Sequence, residues 1–535
     1  MIGELVRAAE PAGPRPLGGL LERLAARGLL VAARRSGAPA DPAALARLPV
    51  AGLAYDSRRV VPGGLFVAIA GAHRDGHEFL AAAAGAGGRV AIVERPIERA
   101  GPTGLVELVV ADSRRALATA AAWWYGDPGH ELGVVGITGT DGKTTTSFLA
   151  VAALEAAGLP AGLVGTVETK VGRLREANRE HVTTPEAPEL QALLRAMVRA
   201  GDRAAIIETT SHGLALHRVD EIAYDVAILT NLSHEHLELH GTFEAYRAAK
   251  LSLFERLADH PEAKRWPRAG IVNHDDPSAP LFERATLAAG ARLVTYGTAP
   301  DAAIRALDVV EGLRSLSIGL VTPTWRGRLE LRLAGRFNVH NALAVIALGE
   351  ALGLDPAAVR AGLESVAAVP GRMERVDVGQ PFGVVIDYAH SPAALESVLG
   401  LLAPVAASRG GGLIAVFGSA GERDRAKRPM MGRIAGQHCR LVVLADEDPR
   451  GEDPLAILDE IARGAEAAGK ERGRDLLLVP DRAEAIATAF SRARPGDVVV
   501  LAGKGHERSI IYPDGHRPWD ERAAALEALA GLGYR

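Results

Sequence analysis

An apolar strand that runs directly into a glycine-rich turn and then into a helix is the feature that most constrains this chain. The segment reads Val134-Val-Gly-Ile-Thr-Gly-Thr-Asp-Gly-Lys-Thr-Thr-Thr146. Backbone N–H groups at the start of a helix point toward an anion, and the helix dipole and Lys143 add positive charge there. Thr144 is placed to offer its hydroxyl to Mg²⁺. The segment therefore predicts a site for nucleotide phosphates.

The spacing of this loop differs by one position from that of the common phosphate loop, which has a glycine at the sixth position before its lysine. That position is Ile137 here, and the nearest glycines are Gly136 and Gly139. The buried strand before the turn and the helix after it still favour phosphate binding over a plain strand–helix turn. We therefore expect a phosphate loop of a less common type.

Composition describes a folded protein of several units. The chain has 535 residues, of which 48% are hydrophobic and 24% charged, and this length suggests about three or four domains. A net charge of −4 gives no reason to expect nucleic acid as a partner. No apolar run approaches the ~20 residues that a membrane span needs, so we expect no membrane insertion. The single cysteine, Cys439, and a start without a signal-peptide layout predict a cytoplasmic protein.

Three α/β units are visible along the chain. Residues 1–129 combine short strands with helices, and their first 45 residues hold one amphipathic helix, at 17–30, after a start that we expect to be mobile. Residues 130–369 alternate strands and helices, and their apolar strands predict a doubly wound parallel sheet. Residues 370–535 indicate a second, Rossmann-like unit. The central strands are predicted at 134–137, 204–207, 226–229, 270–272 and 293–296.

Lysine is scarce in this chain, since only seven of its 61 basic residues are lysines. Where arginine serves almost everywhere as the cation, a remaining lysine indicates a need for a compact ammonium or a reactive amine. Four lysines fall inside motifs: Lys143, Lys250, Lys427 and Lys504. The other three, Lys170, Lys264 and Lys470, read as ordinary surface residues.

Metal-binding side chains follow two of the predicted central strands. Glu208 directly follows the predicted strand at 204–207. His236 and His240 come after the predicted strand at 226–229. Ligands of α/β sheets bind at the carboxyl ends of strands, so Glu208 and His236 are suitable Mg²⁺ ligands beside the phosphate loop. The alternative is a turn-capping Glu208 and solvated histidines. The two histidines could also hold zinc, but the zinc-protease motif is absent and no cysteine lies nearby.

Lys250 lies near the middle of a predicted helix at 243–254. Such a lysine most often lies along the surface with its ammonium in water. Because lysine is scarce in this chain and Lys250 comes just after the candidate metal ligands, a functional role for Lys250 is as open as a surface position.

Seven short motifs occur in a fixed order. They are Gly139-Thr-Asp-Gly-Lys-Thr-Thr145, Glu208 with Ser211-His212-Gly213, Thr230-Asn231-Leu232, His236 with His240-Gly241, Gly335-Arg-Phe-Asn338-Val-His-Asn341, Pro370-Gly-Arg372-Met-Glu374 and Asp387-Tyr-Ala-His390-Ser-Pro392. Together they resemble the Mur ligase family, ATP-dependent amide-forming enzymes of peptidoglycan precursor synthesis. The resemblance runs from residue 50 onward. It implies a UDP-sugar-binding N-terminal domain, a central ATPase and a C-terminal Rossmann-like domain that binds an amino acid.

Within this family the chain most resembles the members that add the third residue to UDP-N-acetylmuramoyl-L-alanyl-D-glutamate. The resemblance implies contacts to this UDP-muramoyl dipeptide from Ser57, Arg58, Thr183, Thr184, Thr210 and Arg218. It implies contacts to the incoming amino acid from Arg423, Asp448, Pro449, Arg450, Gly451, Gly503 and Glu507. Thr210 stands where the family usually has serine, and Leu216 replaces the glutamine of some members.

Arg450 indicates which amino acid is added. A guanidinium can hold a carboxylate through two hydrogen bonds, and diaminopimelate has a distal carboxylate where lysine has only an ammonium. Asp448 stands where diaminopimelate-adding members have asparagine, and it adds negative charge close to that carboxylate. We therefore expect meso-diaminopimelate, with L-lysine or another diamino acid as the alternative.

The resemblance also implies ATP, Mg²⁺ and CO₂ as cofactors. It implies ATP contacts from Gly139, Thr140, Asp141, Gly142, Lys143, Thr144, Thr145, Asn338, His340, Asn341 and Arg372. The implied catalytic residues are Lys143, Glu208, His236 and Lys250. The implied metal ligands are Thr144, Glu208, His236 and a carbamylated Lys250, in which CO₂ has turned the amine into a carboxylate on a long stem. We expect a monomer whose partners are small-molecule substrates.

Three other functions compete with this one. A P-loop kinase or NTPase needs the strict loop spacing that Ile137 breaks. A nucleotide-sugar-binding module has no use for Glu208 and His236 in metal-ligand positions. Folylpolyglutamate synthetase shares the ATPase core but does not account for the N-terminal domain or for Arg450.

Overall fold

Three sheets organise the part of the chain that the structure describes. The structure is a computed structural model, and it describes residues 1–534 apart from 36–37, 72–73, 97–104, 179–181, 234–239, 260–263 and 313–314. Each sheet has helices packed on its faces, so the α/β fold class predicted from the sequence is confirmed.

The N-terminal sheet has six strands. In spatial order they are Ala38–Pro39, Leu30–Arg35, Val106–Val110, Val90–Val93, Leu65–Val67 and Leu53–Ala54. The last four are mutually parallel, whereas Leu30–Arg35 runs antiparallel to its neighbours. The accompanying helices are Ile2–Ala9, Gly18–Ala26, Pro42–Leu45, Leu80–Gly85 and Ser113–Tyr125, with short 3₁₀ turns at Ser57–Arg59, Gly76–Phe79 and Pro128–His130. Arg15–Pro16 and Pro49–Val50 form a separate two-stranded pair.

The central sheet has eleven strands. In spatial order they are Leu174–Ala177, Glu168–Val171, Ala161–Val164, Ala204–Glu208, Gly133–Thr138, Val226–Leu229, Ala269–Asn273, Arg292–Gly297, Ile304–Glu311, Leu316–Val321 and Arg326–Leu331. The seven strands from Ala161–Val164 to Ile304–Glu311 are parallel, and antiparallel strands extend both edges. The helices are Lys143–Ala156, Ala187–Ala200, Ser211–Ala215, Phe243–Glu255, Ala279–Ala288, Phe337–Leu352 and Pro356–Ser365, with a 3₁₀ turn at Arg256–Asp259.

The C-terminal sheet has six strands. In spatial order they are Glu374–Val376, Gly383–Asp387, Val498–Ala502, Leu413–Phe417, Cys439–Leu444 and Leu476–Leu478, and only the first pair is antiparallel. The helices are Pro392–Ser408, Lys427–His438, Pro454–Ala467, Arg482–Arg492 and Glu521–Gly531. A hairpin of Ser509–Tyr512 and Gly515–Pro518 stands beside this sheet.

The first 45 residues differ from the sequence prediction of one helix at 17–30. The described part of this segment has three helices, Ile2–Ala9, Gly18–Ala26 and the short Pro42–Leu45, and Leu30 already begins a strand. Ile2 and Ala9 are buried in the same apolar cluster as residues of helix Ala187–Ala200. The first helix therefore packs its apolar face against the central unit.

No helix among the described residues is long and apolar enough to cross a membrane.

Two lysines that the sequence analysis placed at the surface are buried. Lys170 is 4% exposed and pairs with Glu155 at 2.8 Å, while Lys264 is 8% exposed and pairs with Asp225 at 2.5 Å. Burial lowers the pKa of Lys264, and the attraction of Asp225 works against that shift. The surface prediction is wrong for both, because sequence spacing does not show where the fold brings an ammonium and a carboxylate together.

The pair between Lys264 and Asp225 holds the base of the phosphate-loop strand. Asp225 is fully buried, and its Oδ2 accepts a hydrogen bond from the backbone N–H of Val134 at 2.6 Å. Lys264 Nζ also donates to the carbonyl of Ala223 at 2.7 Å. A buried carboxylate left without its cation is strongly destabilising.

We expect Lys264→Met to lower the free energy of unfolding by about 3–5 kcal/mol, because it leaves Asp225 as an uncompensated buried charge. Urea unfolding followed by tryptophan fluorescence measures the change. Lys470→Met, at a partly exposed lysine, is the matched control and should change stability by about 0.5 kcal/mol or less. Equal effects of the two substitutions would contradict the role of the buried pair.

Candidate functional site

The phosphate loop lies tightly against neighbouring elements at the start of helix Lys143–Ala156. Gly139 has a φ of 146°, and a Cβ there would lie 1.9 Å from the hydroxyl oxygen of Thr230. Gly142 has a φ of 83°, and a Cβ there would lie 2.4 Å from Asn341 Oδ1. Side chains are excluded at both positions, so the loop backbone can face a ligand closely.

Two ammonium groups converge on this loop. Lys143 Nζ donates to the carbonyls of Gly139 at 2.9 Å and Thr140 at 2.7 Å. Lys250 Nζ donates to the same Gly139 carbonyl at 2.7 Å, and it lies 4.6 Å from the centre of the Tyr246 ring. Lys250 is only 1% exposed, so the surface alternative for this residue is wrong. The structure brings Lys250 to the loop from a helix that begins about a hundred residues later in the chain.

The remaining loop residues are anchored by their own hydrogen bonds. The Thr140 hydroxyl lies 2.9 Å from the Tyr246 hydroxyl, and the backbone N–H of Asp141 donates to Asn231 Oδ1 at 2.9 Å. Thr145 is buried in the first turn of the helix. These bonds hold the loop in one shape before any phosphate binds.

A buried carboxylate faces the first turn of the phosphate-loop helix. Glu208 is fully buried at the end of its strand, and its Oε2 accepts from the hydroxyls of Thr144 at 3.0 Å and Thr166 at 2.7 Å. Its Oε1 accepts from the backbone N–H of Thr166 at 3.0 Å. A carboxylate beside a threonine hydroxyl at a phosphate loop is a donor set that suits Mg²⁺.

The other predicted metal ligand cannot be placed in the same way. His236 belongs to 234–239 and lies outside the described residues. Among the residues that are described, no group of three or more histidine, cysteine and acidic side chains could hold a metal ion. His240 packs edge-on against Tyr246, with ring centres 5.5 Å apart.

The residues expected to contact the muramoyl peptide lie around Glu208. The Thr184 hydroxyl donates to the backbone carbonyl of Glu208 at 2.8 Å and lies 2.9 Å from the Thr210 hydroxyl. Arg218 donates to the Thr184 carbonyl at 2.9 Å. The Thr183 hydroxyl lies 3.0 Å from the hydroxyl of Thr166, which donates to the Glu208 carboxylate. The structure therefore brings these four predicted residues together beside the candidate metal ligand.

The predicted UDP-sugar residues lie in the N-terminal unit. Ser57 and Arg58 form a 3₁₀ turn, and the exposed Arg58 pairs with Asp56 at 2.7 Å. Hydrogen bonds from Arg58 lower the pKa of Asp56 to about 2. The neighbouring Tyr55 hydroxyl donates to Glu189 of the central unit at 2.9 Å. This turn thus lies next to the junction of the two units.

The residues predicted to border the nucleotide lie at the start of helix Phe337–Leu352. Asn341 Nδ2 donates to Asn338 Oδ1 at 2.9 Å. His340 Nε2 lies 2.8 Å from Asp275 Oδ2. Burial alone would raise the pKa of Asp275, but hydrogen bonds from His340 and from the following turn outweigh it and lower that pKa to about 2. Asn341 also meets the phosphate loop, as described above.

Arg372 connects the C-terminal unit to the phosphate loop. Its Nη2 lies 3.3 Å from the Thr144 hydroxyl oxygen, and its guanidinium stacks 4.9 Å from the centre of the Tyr388 ring. Close by, Asp387 accepts from the backbone N–H of Met373 at 2.8 Å. Burial raises the pKa of Asp387, and the nearby charge of Arg372 opposes that shift. Arg372 is thus placed to reach a nucleotide at the loop from the C-terminal unit.

The predicted amino-acid residues form a second cluster in the C-terminal unit. The backbone N–H of Arg450 donates to the Ile511 carbonyl at 2.9 Å, while its buried Nε has no hydrogen-bond partner within the described chain. Asp448 Oδ1 accepts from Lys504 Nζ at 2.8 Å and from the backbone N–H of Ile511 at 2.9 Å. Glu507 pairs with Lys504 as well.

The remaining predicted residues of this cluster are placed as follows. Pro449 and Gly451 flank Arg450 in the same turn, Gly503 follows strand Val498–Ala502, and Arg423 is exposed. Arg423 has no hydrogen bond or ion pair to the others within the described residues, so its role rests on the resemblance alone.

Two site residues were missed by the sequence analysis. Thr166 donates twice to Glu208, and Tyr246 contacts both Thr140 and Lys250. Thr166 follows strand Ala161–Val164, which the sequence analysis did not predict, so the rule that sites follow strand ends was never applied there. Tyr246 lies one helical turn before Lys250, a spacing that could have indicated a shared face.

Comparison with known proteins agrees with this geometry. Residues 137–349 match the model of the Mur ligase middle domain, and residues 371–505 match that of the Mur ligase glutamate ligase domain. A UDP-N-acetylmuramyl-tripeptide synthetase of Roseiflexus sp. (strain RS-1) is 49% identical over 490 residues, 91% of this chain and 95% of the relative. A UDP-N-acetylmuramoyl-L-alanyl-D-glutamate–2,6-diaminopimelate ligase of Solibacter usitatus (strain Ellin6076) is 42% identical over 495 residues, 92% of this chain and 95% of the relative.

A solved structure is similar over the same length. It is the structure of a UDP-N-acetylmuramoyl-L-alanyl-D-glutamate–2,6-diaminopimelate ligase, and it is 30% identical, covers 92% of this chain and 97% of its own, and superposes with a TM-score of 0.62. The chain therefore belongs to the Mur ligase family of ATP-dependent amide ligases.

Proposed function

We propose that this ligase joins meso-diaminopimelate to the γ-carboxylate of D-glutamate in UDP-N-acetylmuramoyl-L-alanyl-D-glutamate, a step of peptidoglycan precursor synthesis. The names of relatives 42% and 30% identical support this substrate pair. The observation that carries the proposal is the arrangement around the phosphate loop. Lys143 and Lys250 both donate to the Gly139 carbonyl, Glu208 and Arg372 both contact the Thr144 hydroxyl, and one of the threonines predicted to bind the peptide donates to Glu208.

The first step of the proposed reaction is phosphoryl transfer. An oxygen of the D-glutamate γ-carboxylate attacks the γ-phosphorus of ATP, the bond to the bridging oxygen breaks, and an acyl phosphate and ADP form. Lys143 neutralises negative charge on the transferring group, which is the main catalytic task in such chemistry. Arg372, beside Thr144, can add a second positive charge from the C-terminal unit.

The residues around Glu208 fit a magnesium ion. Thr144 and Glu208 already lie within hydrogen-bond distance in a buried setting, and His236 and a carbamylated Lys250 would complete the ligand set. When bound, Mg²⁺ would offset charge on the phosphate oxygens. Thr166 holds the Glu208 carboxylate in the orientation that this role needs.

Carbamylation of Lys250 would complete the metal site. The unprotonated Nζ attacks the carbon of CO₂, a new N–C bond forms, and one proton leaves to solvent. Arginine cannot replace lysine in this reaction, because its guanidinium stays protonated. The position of Lys250 supports it, because its buried Nζ already lies at the Gly139 carbonyl of the phosphate loop.

The second step forms the amide bond. The amine of diaminopimelate attacks the acyl-phosphate carbon, phosphate leaves, and the amine loses a proton. Arg450 holds the distal carboxylate of diaminopimelate. Glu507 belongs to the same cluster through its pair with Lys504. We place the UDP-sugar, ATP and amino-acid functions in residues 1–129, 130–369 and 370–535, in a cytoplasmic monomer.

Phosphate release is the most direct test of this reaction. The purified protein should release phosphate from ATP only when both the UDP-muramoyl dipeptide and meso-diaminopimelate are present, because the acyl phosphate is consumed by the amine. A coupled phosphate assay with each substrate omitted in turn measures this dependence. Turnover that does not need the amine would refute the ligase reaction and favour a kinase or NTPase.

Lys250→Ala should reduce kcat to background, since it removes the carbamylated side chain. Short-chain carboxylic acids should restore part of the activity by supplying a carboxylate in its place. Lys470→Ala, in a partly exposed position, is the control and should keep full activity. A Lys250→Ala protein as active as the control would remove Lys250 from the mechanism.

Arg450→Met should lower kcat/KM for meso-diaminopimelate roughly a hundredfold and leave kcat/KM for L-lysine little changed, because only the former has a carboxylate for the guanidinium. Steady-state kinetics with both amines measures the two values. Arg463→Met, exposed on helix Pro454–Ala467, is the matched control. A native enzyme that prefers L-lysine would overturn the substrate assignment.

A further inference from the structure

Lys504 is a buried cation in the amino-acid cluster. Its side chain is fully buried, and its Nζ donates to Asp448 Oδ1 at 2.8 Å and pairs with Glu507. An ammonium removed from water costs several kcal/mol unless carboxylates compensate it. The chain therefore maintains this group of three charges inside the fold, at the edge of the predicted amino-acid site.

Asp448 is tied into the same turn as Arg450. The oxygen that accepts from Lys504 also accepts from the backbone N–H of Ile511, and the carbonyl of Ile511 accepts from the backbone N–H of Arg450. Arg450 has a φ of 54°, in the left-handed region that costs a non-glycine residue energy unless its surroundings hold it there. The Asp448 carboxylate and strand Ser509–Tyr512 supply that hold.

The charge of Asp448 would otherwise oppose the role of Arg450. A carboxylate two residues away in the chain competes with a substrate carboxylate for the Arg450 guanidinium. It also repels the substrate carboxylate directly. The ammonium of Lys504 faces Asp448 at hydrogen-bond distance and offsets this charge, although it also pairs with Glu507. The buried Nε of Arg450, which has no partner within the described chain, then remains available to a ligand carboxylate.

We propose that Lys504 is a positioning residue for recognition of the diamino acid: it neutralises Asp448 and so allows Arg450 to bind a distal carboxylate. The inference rests on the proposed function, since it assumes a substrate with that carboxylate. Asp448 accordingly acts through Lys504 and Ile511 rather than as a ligand of the substrate. Aspartate at position 448, where diaminopimelate-adding members have asparagine, is compatible with diaminopimelate as the substrate because Lys504 pairs with it.

The test compares two amines in the same preparation of each variant. Lys504→Met should lower the ratio of kcat/KM for meso-diaminopimelate to kcat/KM for L-lysine by about tenfold or more, because the charges of Asp448 and Glu507, no longer offset by the ammonium, repel only the substrate with a distal carboxylate. The loss should appear in the KM for diaminopimelate, with the KM for ATP unchanged. The ratio does not depend on the folded fraction, so partial misfolding of the variant does not obscure it.

A second substitution supplies the decisive control. Adding Asp448→Asn to Lys504→Met removes one of the two negative charges that Lys504 had offset and should restore part of the lost ratio, while Lys470→Met alone should leave the ratio unchanged. Equal losses for both amines in Lys504→Met, or no recovery in the double variant, would reduce Lys504 to a purely structural role. If the native enzyme releases no phosphate with diaminopimelate, the proposed function itself fails, and that outcome is visible before any variant is made.

Discussion

The position of one strand determines where every reactive group of the site can lie. Gly133–Thr138 runs between Ala204–Glu208 and Val226–Leu229, parallel to both and in direct register with them. Because parallel strands end at the same edge, the phosphate loop emerges between the glutamate that ends one neighbour and the threonine that follows the other. The fit is so close that a single methyl group at Gly139 would collide with Thr230. The buried pair of Asp225 and Lys264 matters for the same reason, since it anchors the beginning of this strand.

The elements that the sequence predicted well are those in which local pattern and tertiary environment agree. Val226–Leu229 is apolar throughout and buried on both faces, and its observed bounds equal the predicted ones. Leu30–Arg35 was missed because it lies near an edge of its sheet, where Val31 and Ala32 are both exposed and the strand shows no regular alternation of buried and exposed residues. Ala161–Val164 was missed because it directly follows Pro160 and has only two large apolar residues, Leu163 and Val164. That second omission also hid Thr166, since a residue at a strand end cannot be recognised before the strand is.

The candidate site was predictable in its membership but not in its internal bonds. Motifs placed Glu208 and Lys250 in the site, and the structure brings both to the phosphate loop. The resemblance implied that Arg372 and Thr144 both contact ATP, but no sequence pattern indicates that they contact each other, because they lie more than two hundred positions apart. The same limit applied to Asp448, whose charge could be judged only once its pairing with a distant lysine was known. Pairing across such distances depends on how the units pack, and local composition does not indicate it.

The scarcity of lysine gains a physical meaning from these pairings. Lys170, Lys264 and Lys504 each place an ammonium where oxygens converge on one point: a carboxylate and main-chain carbonyls for the first two, and two carboxylates for the third. Arg482, which is equally buried, meets acceptors spread around a plane, with both oxygens of Glu521 and two main-chain carbonyls. A compact ammonium satisfies the first arrangement, and a planar guanidinium satisfies the second. In a chain that otherwise selects arginine, these three lysines thus lie where the acceptor geometry suits a compact ammonium, and this preference applies to structural sites as well as to catalytic ones.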